Sequence, residues 1–171
     1  MKRFFTFLLL FLFICCGGTG MVEMGMNDGP EKALLGTAGD IAMRVLRIDI
    51  TESGDYIVLW EGEQAVRVSI GSSDFISITN RFLEIEPGSY ENVRVTVDSV
   101  RHVQDTVEVM LVDTVYQFEA DAFTSIVIEE NDEFHLVIGI NTPQWFDDVE
   151  QEIRQGHVAF EGATLKIFYD L

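Results

Sequence analysis

The sequence predicts an all-β protein: an antiparallel β-sandwich of about 8–10 strands with one short helix near the C-terminus. Three observations point there. Apolar and polar residues alternate with a period of two from residue 42 onward, the signature of half-buried strands. The apolar runs are short and are punctuated at near-regular spacing by Gly, Asn, Asp and Pro, as in sandwiches. The chain has 171 residues, 47% of them hydrophobic, enough for one well-buried core but not comfortably for two.

The runs follow in order. Over 44–50, Leu46, Ile48 and Ile50 share one face while Arg47 and Asp49 take the other. Strands are expected at 56–60, at 65–70 with Val66, Val68 and Ile70 together, at 75–78 and at 82–86. Over 92–100, Val93, Val95 and Val97 face inward and Arg94, Thr96 and Asp98 outward. Runs 107–111 and 115–118 read as a hairpin about Asp113, and 125–128 reads as paired with 134–140 across Asn131. The final runs, 157–160 and 164–169, read as a returning strand. One stretch departs from the period of two. Thr142 and Pro143 supply an N-cap and a first-turn proline, and Phe146, Val149 and Ile153 recur at helical spacing until Gly156. That pattern predicts the helix.

The N-terminus carries an address. Lys2 and Arg3 precede an apolar run over 4–14 that stops at Cys15 and Cys16, the only cysteines. The run is shorter than the roughly 20 residues needed to cross a bilayer and matches the apolar centre of an export signal. Residues 17–39 are rich in Gly and short polar residues with no lasting period, which reads as a flexible tether. The expected organisation is a signal helix over 1–15, a tether over 16–40 and a sandwich domain over 41–171. A disulfide between adjacent cysteines would be strained, and the domain itself has no cysteine.

The placement of Cys15 and Cys16 resembles a bacterial lipoprotein signal. The resemblance implies cleavage before a cysteine that is then lipidated: Cys16, which follows the smaller residue and precedes Gly17, or alternatively Cys15. It also implies an exported protein held to the cell envelope by its lipid. The absence of Asp after Cys16 favours the outer membrane. A second resemblance starts at Pro87-Gly88-Ser89-Tyr90, where one strand enters the turn and a strand of alternating Val leaves it. With Trp60, Tyr116 and Phe118, this resembles the transthyretin-like (prealbumin-like) β-sandwiches of bacterial surface lipoproteins, among them a domain of unknown function. There the turn joins neighbouring strands. Pro87 presets φ, Gly88 is suited to positive φ, and Tyr90 can bury its ring while its hydroxyl reaches a backbone partner.

Charge and motifs narrow the function. A formal charge of −18 and a pI near 4.2 oppose phosphate backbones, so nucleic acid is excluded as a partner. No nucleophile elbow, phosphate loop, dinucleotide fingerprint or zinc-protease motif occurs, so the chain reads as a non-enzyme without cofactor. His102, His135 and His157 are dispersed. Two weak metal candidates remain: Met21, Met24 and Met26 as soft donors for Cu(I), and Glu130, Asn131 and Asp132 as hard donors for Ca²⁺. Both have plainer readings, as linker spacers and as a solvated turn. The expectation is a lipid-anchored envelope β-sandwich acting as a binding or structural module for an unidentified partner. The alternatives are a fimbrillin-like pilus subunit, with 163–171 as its candidate donor strand, or a periplasmic Cu or Ca binder.

Overall fold

In the computed structural model the described residues are 18–29 and 39–169. Cys15, Cys16 and the apolar run lie outside them. Apart from 157–160, which are loop and turn, the alternating runs form strands as their period requires, and several are longer than the local pattern suggested. Strands β2 (Asp40–Glu52) and β3 (Asp55–Ser69) make one long hairpin. Its turn is built from two left-handed residues, Ser53 (φ 52°) and Gly54 (φ 88°), the geometry that tight hairpins need. Against the strand on its other edge, Val45 pairs with Val97 and Arg47 with Thr96, which makes Leu46 the extra residue of β2. Val45, Ile48 and Ile50 are therefore the inward side chains, and Leu46 is only half-buried.

The largest correction concerns the tether. Residues 20–27 are not a spacer. They form β1 (Gly20–Asn27), which pairs in parallel with β9 (Glu133–Gly139) from Met21↔Glu133 to Asn27↔Gly139. Its other edge takes the short strands β4 (Ile76–Ser77) and β5 (Leu83–Ile85). Val22, Met24 and Met26 are completely buried. Their alternation with Glu23 has the strand period, and the burial of three large apolar side chains is a sufficient cause for the order.

The sheet order is β3-β2-β6-β8-β12-β9-β1-β4. Strand β6 (Gly88–Gln104) is long enough to carry two partners along one edge: β7 (Val107–Val112) next to Gln104, and β8 (Tyr116–Ile128) from Val97 down to Gly88. The expected hairpin between β7 and β8 is thus replaced by a hairpin between β6 and β7, turning at left-handed Asp105. The expected pairing of β8 with β9 is also displaced. Strand β12 (Thr164–Phe168) lies between them, antiparallel to β9 and parallel to β8. The sheet is therefore mixed, with two parallel pairings among antiparallel ones.

Inward side chains from every long strand belong to one apolar cluster, and β3 touches β1, β4 and β5. The sheet is accordingly curled over on itself, with β12-β9-β1 facing β3-β2-β6. One end of the fold is plugged by residues 140–163. The predicted helix survives there only as the single turn α1 (Thr142–Trp145). Phe146 and Ile153 then pair in a small hairpin, β10 (Phe146–Asp147) with β11 (Glu152–Ile153). Val149 is exposed at its turn, so the helical spacing of 146, 149 and 153 was accidental. The capping residue is Asn141, left-handed at φ 51°, in place of Thr142. Trp145 donates from its indole nitrogen to the Ile140 carbonyl at 2.9 Å, and Phe160 stacks on Phe118 at 4.2 Å.

Asp28 fastens β1 to this plug. Its side chain accepts from the backbone N–H groups of Thr142 at 2.8 Å and Gly71 at 2.5 Å. Its backbone bonds Ser72 and Asn141. Burial pushes the carboxyl above its ordinary value, against the lowering effect of those donors.

Two measurements test this architecture. If β1 is core, Met26→Ala should cost about 2–5 kcal/mol in urea unfolding, while the outward Met21→Ala should stay within about 0.5–1 kcal/mol. Asp28→Asn sets an NH2 against one backbone donor and should cost about 1–3 kcal/mol near neutral pH. A raised folded-state pKa means that the native chain binds the proton more tightly than the unfolded one. The stability contributed by Asp28 therefore rises as pH falls through the raised value towards 3.8 and is lost as pH rises. The wild-type advantage over Asp28→Asn should widen on acidification across that window.

Candidate functional site

Strands β12, β9 and β1 run side by side, so their outward side chains fall into rows. Phe168, His135 and Glu23 form one; Lys166, Val137 and Gly25 the next; Thr164, Gly139 and Asn27 the third. Gly25 leaves its place empty, and the Phe75 ring occupies it. A Cβ at residue 25 would lie 2.1 Å from Phe75 Cε2, so only glycine permits this packing. Phe75 and Phe82 both lie 5.3 Å from the His135 ring. His135 Nδ1 is 3.4 Å from Glu23 Oε2, and the other Glu23 oxygen accepts from the Ser77 hydroxyl.

Beside Phe75 the rows enclose a cleft of about 240 Å³. Val137 and Gly139 make its floor, Phe75 and Ser73 one wall, and Phe168, Lys166 and Thr164 the other. Gly139 keeps the floor low, because a Cβ there would meet Thr164 Oγ1 at 2.8 Å. Lys166 is the one lysine among the described residues and forms no ion pair among them. An ammonium over an aromatic and aliphatic trough suits a ligand with an apolar body and one anionic group. The Ser77 hydroxyl donates to Glu23 and not to His135, so the serine and histidine are not joined as nucleophile and base.

The outer face of β3-β2-β6-β8 is built differently. Asp49 is completely buried between Arg47, at 2.7 Å, and Arg94, at 3.0 Å. The Arg94 guanidinium lies 3.7 Å from the centre of the Tyr56 ring, and the Tyr56 hydroxyl donates to Glu119. That bond raises the phenol above its ordinary pKa. Nearby, Arg44 bonds both oxygens of Asp98, at 2.8 and 2.5 Å, and holds its carboxyl below the usual range. These charges saturate one another and leave little to offer a ligand.

The candidates read from the sequence are dispersed. Met24 and Met26 point into the core and Met21 to the opposite face, so the three thioethers do not converge. In the acidic turn, left-handed Asn131 reverses the chain, the Asn131 side chain lies against Gly18, and Asp132 accepts from the Glu129 N–H at 2.9 Å. Glu130 is exposed. Among the described residues no group of three or more His, Cys, Asp or Glu side chains is placed to hold a metal ion. Tyr90 is buried, and its hydroxyl donates to the Glu86 carbonyl at 2.7 Å, closing the turn around Pro87. Gly88 does not take positive φ; it matters by close approach, since a Cβ would meet Glu52 Oε1 at 2.6 Å. His102 packs on Phe146 at 4.8 Å, and His157 pairs with Glu161 at 3.0 Å, each away from His135.

The cleft itself was missed. The alternation over 134–140 implied that His135 and Val137 share the outward face, and a solitary lysine in so acidic a domain was a further signal. Their convergence with Phe75 depends on β1. Decanoate titrated into the purified protein should shift the Val137 methyl and Gly139 amide resonances, and Lys166→Glu should weaken that binding severalfold. Equal titration of both proteins would remove Lys166 from the site.

No protein-family model, no curated protein and no solved structure matches this chain.

Proposed function

We propose that the chain is a non-catalytic binding module of the bacterial cell envelope, held to a membrane by lipid on Cys16, with Cys15 as the alternative. The observation that carries the reading is the sequence junction. A basic start and an apolar run over 4–14 end at the only two cysteines, and a cysteine-free fold starts at Gly20. A domain kept in an oxidising compartment without disulfides must rest on its apolar core, and the single cluster drawn from all the long strands meets that need. Gly17 in place of an acidic residue after Cys16 favours the outer membrane. The cleft beside Lys166 supplies the binding half of the reading, for an apolar anion.

Expression of the full chain in a bacterial host, followed by intact mass of the membrane-extracted product, tests the anchor. A lipid-sized increment on a chain starting at Cys16, lost in Cys16→Ser and kept in Cys15→Ser, is the expected result. An unmodified soluble product cut elsewhere would overturn it.

A further inference from the structure

The chain is fixed to the fold almost as soon as it leaves Cys16. The Thr19 carbonyl accepts from the Asn131 N–H at 3.2 Å, and the Met21 N–H donates to the Asp132 carbonyl at 2.7 Å. Only Gly17 and Gly18 separate Cys16 from Thr19. Three Cα–Cα steps reach at most about 11 Å. The seventeen residues of β6 span roughly 50 Å, at a little over 3 Å each. An anchor at Cys16 is therefore much shorter than the body that it holds.

The end of the fold around Thr19 is also unlike the plugged end. Thr19, Ile57, Val58, Glu86 and Tyr90 line one shallow depression. Ile57 and Val58 are 44% and 48% exposed, and Tyr169, 59% exposed, stands at the same end beside Phe134. Around them are the exposed Asp55, Glu129 and Glu130. Exposed aliphatic and aromatic side chains next to the anchor suit the headgroup layer of a bilayer. The carboxylates make an anionic leaflet the unfavourable surface and amine-bearing zwitterionic headgroups the fitting one.

We infer that this end, with Ile57, Val58 and Tyr169, lies directly against the lipid surface, so that the plugged end points away from it. The inference rests on the lipid anchor proposed above. The cleft beside Lys166 then opens sideways along the membrane, because its rows of side chains lie on the outer face of strands that run between the two ends.

The test uses the lipidated full chain in phosphatidylethanolamine–phosphatidylcholine vesicles carrying a headgroup nitroxide. One fluorophore is placed at Asp55→Cys, in the turn near Thr19, and in a second protein at Asp105→Cys, in the turn at the far end. Severalfold stronger quenching at 55 than at 105 is expected. Ten Gly/Ser residues inserted between Gly17 and Gly18 should bring the two close together. Lipid present on Cys16 with equal quenching at both positions would overturn the apposition alone. Absence of lipid from the intact mass would overturn the anchor and the apposition with it.

Discussion

The parallel ladder between β1 and β9 is the constraint on which the rest of the structure depends. Strand β1 carries β9 on one edge and β4 and β5 on the other, and without it those short strands would have no partner. It places Val22, Met24 and Met26 in the middle of the core. At its end Asp28 bonds two other segments at once, the turn at Gly71 and the start of α1 at Thr142. A carboxylate buried with two backbone donors is costly to bring out of water, and its value lies in the geometry that it dictates. Here that geometry joins the closing strand of the sheet to the plug over one end.

The same strand gives the outer face its character. Gly25 makes room for Phe75, which with Phe168 and Lys166 forms the walls of the cleft. The opposite half of the sheet has no such vacancy. There Asp49 lies under Arg47 and Arg94, and Tyr56 covers Arg94 in turn. One face is closed by charges that satisfy each other, and the other keeps a cleft between Lys166 and the Phe75 ring seated over Gly25.

Much of this was legible in the sequence, for definable reasons. A period of two depends only on which residues face the core, so the regions of β2, β3, β6, β8, β9 and β12 were all marked by it. The Pro87–Tyr90 turn was legible because its chemistry is local. What failed was either nonlocal or hidden by composition. Strand β1 has the same alternation through Val22, Met24 and Met26, but glycines on both sides gave it the look of a linker. The insertion of β12 between β8 and β9 depends on pairing partners, which a local pattern does not encode. Phe146, Val149 and Ile153 had helical spacing, yet left-handed Gln151 (φ 56°) lies in the turn of a hairpin. Leu46 shows how one inserted residue shifts an inward set that period alone would keep in step. The burial of Asp49 was equally invisible, since a strand charge opposite Ile48 and Ile50 is ordinarily solvated.

The topology also has a consequence for synthesis. Strand β1 is made early, but its main partner starts at Glu133, after most of the chain has followed. Until then its methionines and valine have no completed core to enter, and the edge that β9 will take is bare. Pairings so distant along a chain close slowly and leave unpaired edges exposed in the meantime. Residues 20–27 are thus the segment that a holding chaperone would have most reason to cover before the ladder forms.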